Sequence, residues 1–571
     1  MTDVAGWLVS LNGALAAGDG RAVADLFLPT GLWRDYLAFD WTLATHEGTE
    51  GLAAFANSRG PATDARDWVS ESAAGASEGF ITFETAFGTG KGYVRLSGGK
   101  ALALFTMLTN LRGYEFPVHG RRHSGVFGNA MTWQDRRRAE AEAMGITEQP
   151  YVLVVGAGQA GLAIGATLRL LGVPCLLIDK HPRVGDQWRS RYRSLTLHDP
   201  VWYDHLPYLP FPDHWPVYTP KDKMGDWLEH YATVMELNVW TSTEMTAARP
   251  TEGGGWDVTV KDADGERRLQ PAHVVMALGN AGFPNVPVCA GQDEFTGPHY
   301  HSSAHRGGDG LTGERVVVIG ANNSAHDICA DLVEHGATPI MIQRSSTHIV
   351  RQTTMTDVLL KPAYSEEAMA AGITTDRADL LAASLPIRLS ETINRQMWEG
   401  LRQMEAPFYQ RLEAIGFKLD FAEDGVGIAG KYLRTASGYY IDVGASEMIA
   451  DGRIALRSGV DIDRLTPNGV LLSSGEHIEA DRIIYATGFG AMDEWVARLI
   501  GSDVAARIGR CWGYGSGTKG DPGPWEGELR NMWKPTAQEG LWFMGGNLAQ
   551  VRFYAPLLGL QLKARYEGLV N

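Results

Sequence analysis

Tyr151 to Asp179 reads YVLVVGAGQAGLAIGATLRLLGVPCLLID, and this stretch decides the fold. Tyr151 to Val155 is a short apolar, β-branched run of the kind buried in parallel sheets. The turn Gly156-Ala157-Gly158-Gln159-Ala160-Gly161 follows at once, then an Ala/Leu-rich stretch from Leu162 to Leu171 with Gly172 as its stop. Val173 to Ile178 is a second apolar run, and it ends in Asp179. Strand, glycine turn, helix, strand and terminal acid within about 30 residues make a dinucleotide-binding βαβ unit. Gly156 permits the tight turn, Gly158 lets the backbone approach a pyrophosphate, and Gly161 lets the helix pack closely on the strand. The helix N-terminus offers unpaired N–H groups and partial positive charge to the phosphates. Asp179, with Lys180 beside it, is placed to accept hydrogen bonds from a ribose diol.

A second unit of the same build follows. Arg315 to Ile319 (RVVVI) is another buried-type strand, and Gly320-Ala321-Asn322-Asn323-Ser324-Ala325 is its turn. Asn322 stands where the middle glycine is expected and is read as tolerating positive φ; Ala325 replaces the last glycine. A helix from Ser324 to His335, the stop Gly336 and the strand Pro339 to Ile342 complete the unit. That strand runs into Gln343-Arg344-Ser345 with no acid. A guanidinium at Arg344 suits a 2′-phosphate, so NADPH is expected in preference to NADH, with NADH as a tolerated substitute. Two turns imply two dinucleotides in one chain.

The chain has 571 residues and a formal charge of −16, enough length for two or three domains and the wrong sign for nucleic acid or anionic membranes. Cys175, Cys289, Cys329 and Cys511 are widely spaced and read as reduced thiols, which argues against a disulfide reductase. Neither a run of about 18 apolar residues nor a basic leader is present, so a cytoplasmic protein without membrane contact is expected. No metal site is expected.

About 145 residues precede Gly156. Val4 to Ala16, Arg21 to Phe27 and a stretch near Gly48 to Asn57 read as helices. Phe80 to Phe87, Tyr93 to Leu96 and Ala101 to Leu111 read as strands, with Ile81, Phe83 and Thr85 alternating with polar neighbours. Helices followed by a curved antiparallel sheet resemble the cone-shaped folds of the nuclear-transport-factor-2-like, SnoaL-like group. Such cones hold a small ligand or form dimers; the plainer reading, a packing and dimerisation module, is preferred here. Gln134 to Glu142 reads as a solvated linking helix.

From about Tyr151 onward the chain resembles the class B flavoprotein monooxygenases. Phe295-x-Gly297-x-x-x-His301, just before the second turn, is similar to their fingerprint, whose histidine organises a domain linker. His305-Arg306 at its end is nearer to flavin-containing monooxygenases than to Baeyer–Villiger enzymes. Gly185-Asp186-Gln187-Trp188 resembles the family's GGxW segment, which lies against FAD. Leu195 to Pro200 resembles the flavin-facing segment. Ala277-Leu278-Gly279 and Ala486-Thr487-Gly488-Phe489 resemble the two crossings between domains. Leu206-Pro207 and Tyr440 to Gly444 recur in the plant indole-3-pyruvate monooxygenase pattern. Gly545-Gly546-Asn547 opens a last helix containing Arg552, whose N-terminus such flavoproteins place under the flavin pyrimidine. Type II flavin-containing monooxygenases resemble the chain best, because they carry a long N-terminal extension and a histidine near flavin C4a, here His198.

The resemblance implies an α/β fold of two Rossmann-like domains, FAD and NADP(H), behind an α+β cone. The expected boundaries are 1–127 for the cone and 128–149 for the linker helix. The FAD domain is expected at 150–305 and 480–571, and the NADPH domain at 306–479. A helical insertion at about 355–438, with helices Asp376 to Leu385 and Ser390 to Leu412, is expected to cap a substrate channel. FAD would lie on Gly156, Gly158, Gln159, Gly161, Asp179, Lys180, Gln187, Trp188, His198, Asn547 and Arg552. NADPH would lie on Gly320, Asn322, Asn323, Ser324, Gln343, Arg344 and Ser345. The implied activity is a monooxygenase in which a C4a-(hydro)peroxyflavin made from molecular oxygen attacks a small ketone, sulfide or amine. His198 would be the catalytic group that hydrogen-bonds the peroxide. Alternatives are an NADPH oxidase releasing hydrogen peroxide, an indole-3-pyruvate-type decarboxylating monooxygenase, and a flavin-binding sensor or scaffold. A homodimer is the expected assembly.

Overall fold

The computed structural model describes residues 3–125, 130–279 and 282–570. The run at Tyr151 becomes the strand Val152–Val155, and the run at Val173 becomes Cys175–Ile178; every residue of both is buried. Both belong to a five-stranded parallel sheet ordered Leu541–Phe543, His273–Met276, Val152–Val155, Cys175–Ile178, Val239–Trp240. Helix Gln159–Leu170 crosses between the first two strands in sequence, with Ala160 to Leu168 buried throughout. Its outer side is covered by the C-terminal helix Leu548–Tyr566. The two helices come close because Gly559 has no Cβ; one placed there would lie 2.2 Å from Thr167 Cγ2.

The second unit repeats this plan. Its parallel sheet runs His299–His301, Arg482–Tyr485, Arg315–Ile319, Thr338–Gln343, Ala455–Ser458, with helix Asn323–Glu334 as the first crossing. Each half also carries a three-stranded antiparallel meander: Glu244–Pro250, Trp256–Asp262 and Gly265–Leu269 in the first, Ile462–Thr466, Gly469–Leu472 and His477–Glu479 in the second. The expected boundaries at 305/306 and 479/480 need correction. His299–His301 and Arg482–Tyr485 hydrogen-bond to each other inside the second sheet, so that sheet starts before 306 and continues past 479.

Between Arg351 and Tyr439 the chain is helical: Thr354–Leu360, Glu366–Ala370, Thr375–Ala383, Ile387–Met404, Ala406–Ala414 and Gly427–Thr435. The single helix expected from Ser390 to Leu412 is two. Pro407 has no N–H to offer and its ring clashes one turn back, so the first helix ends at Met404 and a new one starts around the proline.

The N-terminal part is an α+β unit. Helices Val4–Ala16, Gly20–Asp25 and Gly48–Thr63 pack on a six-stranded sheet ordered Leu43–Glu47, Phe27–Tyr36, Lys100–Leu111, Gly88–Ser97, Glu78–Glu84, Arg66–Ser70. Ile81 and Phe83 point into its core, as their alternation requires. Phe27 opens a strand rather than closing a helix. That strand pairs in parallel with Lys100–Leu111 across a register shift between Phe27 and Leu32. The opposite face of the sheet, with Tyr36, Phe105, Leu108 and Leu111, shares one apolar core with the first Rossmann sheet and helix Leu548–Tyr566. Helix Trp133–Ala143, opened by a Thr132/Asp135 capping box, lies within the stretch read as a linker; the expected boundary at 127/128 lies outside the described residues. Among the described residues no helix is long and apolar enough to cross a membrane.

Candidate functional site

The first turn lies at the C-terminal ends of its sheet and forms one wall of a cleft of about 310 Å³. Gly156 has φ +104°, and a Cβ there would lie 2.5 Å from the Ala277 carbonyl oxygen. A Cβ on Gly161 would lie 1.8 Å from the Gly156 carbonyl oxygen, so the helix starts in contact with its own turn. Gly158 is extended, φ −77°, and caps helix Gln159–Leu170 without any side-chain bond to the first N–H groups. Gln159 and Ala160 of its first turn line the cleft, so the helix N-terminus is turned toward it, as an anion site requires.

Asp179 follows the strand end, and each oxygen of its carboxylate has a protein partner. Oδ2 accepts from the Ala157 N–H at 2.8 Å, and Oδ1 accepts from the His181 N–H at 2.8 Å and meets His181 Nδ1 at 2.9 Å. Burial acts to raise this carboxyl, but the His181 ring, its N–H and the Ala157 N–H hold it below the usual range. Lys180 is exposed at the cleft rim. Gln187 lines the same cleft, and both amide atoms are buried without a protein partner. Trp188 Nε1 donates to Gln159 Oε1 at 3.3 Å. The positive φ of this segment belongs to Gly185, +91°; Asp186 lies inside the following helical turn and binds Arg189 Nη1 at 2.9 Å, so the loss of a glycine there strains nothing.

Gly545 and Gly546 close the cleft opposite the turn, and Asn547 caps helix Leu548–Tyr566 through a capping box with Gln550. Asn547 Nδ2 also donates to the Tyr203 hydroxyl at 3.1 Å. Arg552 does not reach the cleft. Its Nε and Nη2 bind Asp379 at 2.8 Å each, and its Nη1 donates to the Tyr203 and His205 carbonyls at 2.6 and 3.0 Å. One helical turn beyond the cap, it faces the helical insertion, and its assignment to the cofactor is corrected to a structural tie.

His198 is half-buried and stands among acids. Burial pushes the Asp199 carboxyl up against the opposing pull of His198, and Asp199 Oδ1 is buried without a partner. Burial and then Asp199 raise Asp204 well above the carboxylate range. Burial also raises Asp327, opposed by His198 and by the Tyr192 hydroxyl that donates to it. The aromatic side of this region is Tyr203, set edge-on against Tyr364 at 4.8 Å.

At the second turn Gly320 has φ +128°, and a Cβ there would lie 2.2 Å from the Ala486 carbonyl oxygen. Asn322 is extended, φ −105°, the conformation of Gly158. Tolerance of positive φ is therefore not what keeps asparagine here. Asn323 Oδ1 accepts from the Ile441 N–H at 3.0 Å, and Ser324 is half-buried in the first helical turn. Gln343 is fully buried and clasps Lys418 with both ends of its amide, at 2.9 and 2.8 Å; it is a tether between elements and not a cofactor ligand. Arg344 and Ser345 are exposed beyond the strand end. The Arg344 side chain is 75% exposed and meets Asp461 only at 3.9 Å.

The two halves are joined at His301. Its Nδ1 accepts from the Ser303 N–H at 3.1 Å, which leaves the proton on Nε2 to donate to the Gly488 carbonyl at 2.8 Å. Burial lowers the pKa of this ring. The fingerprint histidine thereby fastens the linker to the Ala486–Phe489 crossing. Residues absent from the sequence reading also line the cleft: His181, Thr243 to Met245, and Trp495 and Leu499 from helix Asp493–Leu499. Only His181, two residues after Asp179, carried a local signal.

The family model named pyridine nucleotide-disulphide oxidoreductase matches residues 153–393. The four cysteines are free thiols and form no pair, so the chain has the matched architecture without a disulfide. Indole-3-pyruvate monooxygenase YUCCA1 of Oryza sativa subsp. japonica is 30% identical over 342 residues, covering 60% of this chain and 77% of that protein. Probable indole-3-pyruvate monooxygenase YUCCA8 of Arabidopsis thaliana is 28% identical over 344 residues, covering 59% and 74%. Among solved structures, ε-caprolactone-bound cyclohexanone monooxygenase superposes with a TM-score of 0.51 at 19% identity, covering 73% of this chain and 88% of that one. A complex of OTEMO with FAD and NADP superposes with a TM-score of 0.51 at 19% identity, covering 74% and 86%. The structural likeness shows the shared two-sheet fold. With the sequence likeness beside it, the chain is an enzyme that belongs to the flavin-dependent monooxygenase family.

Proposed function

We propose that this chain is an FAD-dependent, NADPH-consuming monooxygenase that uses molecular oxygen to oxygenate a small organic substrate. The substrate is a ketone, by Baeyer–Villiger insertion, or a soft sulfur or nitrogen centre. The observation that carries the reading is the cleft at the first turn. There a glycine cradle, a helix N-terminus with uncapped donors, an acid at the strand end and a partnerless Gln187 amide converge. Those groups match the diphosphate, ribose and ring edges of FAD in kind.

Bound there, FAD supplies the two-electron chemistry that passes reducing equivalents from NADPH to oxygen. The protein's own part is binding, orientation and proton control. The turn at Gly156 and the N-terminus of Gln159–Leu170 hold the diphosphate, and Asp179 the ribose. The cap at Asn547 presents a helix N-terminus to negative charge on the other wall. Gly320 and Asn322 to Ser324 receive the second dinucleotide, and Arg344 its 2′-phosphate. His198, near enough to Asp199 and Asp327 to act on both, would hold or pass a proton at the reacting centre. The helical insertion covers the substrate side. The N-terminal unit, three helices on a curved six-stranded sheet, is read as a nuclear-transport-factor-2-like packing and dimerisation module of a cytoplasmic homodimer.

The likeness to indole-3-pyruvate monooxygenases supports a second reading with a 2-oxo acid substrate. One experiment separates the readings. NADPH consumption, product and hydrogen peroxide are measured together on the purified protein with cyclic ketones, sulfides, amines and indole-3-pyruvate. Product matched to NADPH with any neutral substrate supports the first reading, and product only from indole-3-pyruvate supports the second. Peroxide accounting for all NADPH with every substrate makes it an oxidase. His198→Ala is expected to raise the peroxide share; unchanged coupling removes His198 from its role.

A further inference from the structure

Two tryptophans near the C-terminus hold backbone conformations that bulky side chains rarely take. Trp512 has φ +69° and Trp533 φ +59°, where Cβ crowds the following carbonyl at a cost of about 1–2 kcal/mol each. Both are buried, and each gives its single indole donor to a backbone carbonyl. Trp512 Nε1 donates to Tyr432 at 2.8 Å and Trp533 Nε1 donates to Gly545 at 3.0 Å. Their rings meet edge-on, 6.3 Å between centroids.

Gly545 belongs to the cleft turn, and Tyr432 reaches the same turn with its side chain. Gly545 and Gly546 line the cleft, and Gly546, at φ +116°, brings no stiffness of its own. On the far side the Asn547 N–H donates to the hydroxyl of Tyr432 at 3.0 Å. The turn is thus held from Trp533 at one end and from Trp512, through Tyr432, at the other.

Trp533 is itself anchored. Its N–H donates to the Phe543 carbonyl at 3.1 Å, and its carbonyl accepts from Gln561 Nε2 at 2.9 Å. Its ring lies flat on Tyr554, centroids 3.7 Å apart and planes 5° from parallel. The Tyr554 hydroxyl meets that of Tyr36, from the N-terminal sheet, at 3.3 Å, and Tyr36 donates to Glu528 at 2.9 Å. An unbroken contact line runs from the N-terminal unit to the cleft wall. Strained backbone of this kind persists where its surroundings over-determine it, and it concentrates at functional sites.

We propose that Trp533 is a positioning residue for the cleft turn Gly545-Gly546-Asn547, and that the N-terminal unit bears on the cofactor site through Tyr36 and Tyr554. The proposal rests on the reading that the cleft holds FAD. It assigns the N-terminal unit a part in setting the flavin's surroundings, apart from any ligand of its own.

The test uses the full chain. Trp533→Phe keeps an aromatic ring on Tyr554 and removes the donor to Gly545. Flavin-free protein is titrated with FAD by fluorescence quenching, and the visible spectrum and midpoint potential of the bound flavin are recorded. W533F is expected to raise the FAD dissociation constant about tenfold and to shift both spectrum and potential. Tyr36→Phe, far from the cleft, is expected to move all three in the same direction by less, and the double variant by less than the sum. A lowered melting temperature in both variants, with wild-type dissociation constant, spectrum and potential, overturns the proposal. Should W533F fail to fold, Y36F alone decides on the same readouts. Wild-type protein that takes up no FAD overturns the cofactor reading, and this proposal with it.

Discussion

Arg34 on the N-terminal sheet and Glu528 near the C-terminus form a two-pronged ion pair, Nε to Oε1 at 2.7 Å and Nη2 to Oε2 at 2.6 Å, with both side chains buried. Each group has further partners. Arg34 Nη1 donates to the carbonyls of Ala383 and Leu385 in the helical insertion at 2.6 and 2.9 Å. Glu528 accepts from Thr45 at 2.7 Å and from Tyr36 at 2.9 Å. One guanidinium therefore joins the N-terminal unit, the insertion and the C-terminal segment, three parts far apart in sequence. Burial acts to raise the Glu528 carboxyl, and Arg34 with the hydrogen bonds holds it below the usual range.

Arg34→Ala is expected to destabilise the protein by about 3–5 kcal/mol, because it leaves Glu528 buried without its counter-charge. The loss should show as a lower melting temperature and as early proteolysis between the N-terminal unit and the rest. The pair is also acid-sensitive in a defined direction. Since the folded pKa of Glu528 is depressed, its contribution is complete above the unfolded value and vanishes as pH falls through the folded one. An R34A protein that melts like wild type and resists protease equally would show that the three parts do not depend on this pair.

Gly161 and Gly158 should respond differently to the same added methyl. At Gly161 the Cβ meets a backbone carbonyl at 1.8 Å, whereas at Gly158 it meets Gln187 Nε2 at 3.2 Å, the mobile end of a side chain. Gly161→Ala is expected to be purified with little or no flavin and with lowered stability. Gly158→Ala is expected to fold normally and to lose FAD affinity by about tenfold, through the distance it imposes on the diphosphate. Flavin content per chain and a melting curve for each variant check both halves. Equal flavin content in the two would contradict the steric reading.

The same contrast shows what sequence can carry. Gly156, Gly161 and Gly320 were legible because each carries a constraint inside its own turn: φ of +104° at Gly156 and +128° at Gly320, and at Gly161 the approach to the Gly156 carbonyl. Arg552 and Gln343 were misread because their partners are distant, Asp379 at 173 residues and Lys418 at 75. No spacing rule reaches that far. The strand Phe27–Tyr36 was missed because Pro29, Thr30 and Gly31 break its alternation at a register shift, and because Arg34 and Asp35 are buried polar residues that read as surface. Trp512 and Trp533 gave no signal at all, since their strain lies in φ and not in residue type.

Arg344 and Gln343 are adjacent, and their variants should separate cofactor choice from stability. Arg344→Ala removes an exposed guanidinium with no close protein partner. It is expected to raise KM for NADPH about tenfold, leave KM for NADH unchanged and leave the melting temperature unchanged. Gln343→Ala breaks two hydrogen bonds to the Lys418 backbone in a fully buried place. It is expected to cost about 2–3 kcal/mol in stability while preserving the NADPH/NADH ratio. A changed ratio in the Gln343 variant, or none in the Arg344 variant, would reverse the assignment.

His348 sets a pH dependence whose sign can be worked out. It is buried between Trp398 and Phe421, with Nδ1 against the Asp420 carbonyl at 3.0 Å and Nε2 without a partner. Burial pushes its pKa down to about 4, with Lys431 adding to the shift and the Asp420 carbonyl and carboxylate opposing it. Below pH 6.5 the unfolded chain takes up a proton here that the folded chain refuses until about pH 4. Stability therefore falls as pH drops through that window, by up to about 1.4 kcal/mol per pH unit. Burial raises Asp35 to about 7, and that shift acts in the opposite sense over the same range, so the whole protein's profile does not isolate His348. A difference measurement does. His348→Asn puts an amide nitrogen where Nδ1 stood, keeps the donor to Asp420 and cannot be protonated. Relative to wild type it should gain stability as pH is lowered from 7 to 5, by about 2 kcal/mol in all, read as a melting-temperature difference that widens with acid. A constant difference across that range would mean that the folded protein protonates His348 without cost, and that its burial imposes no electrostatic penalty.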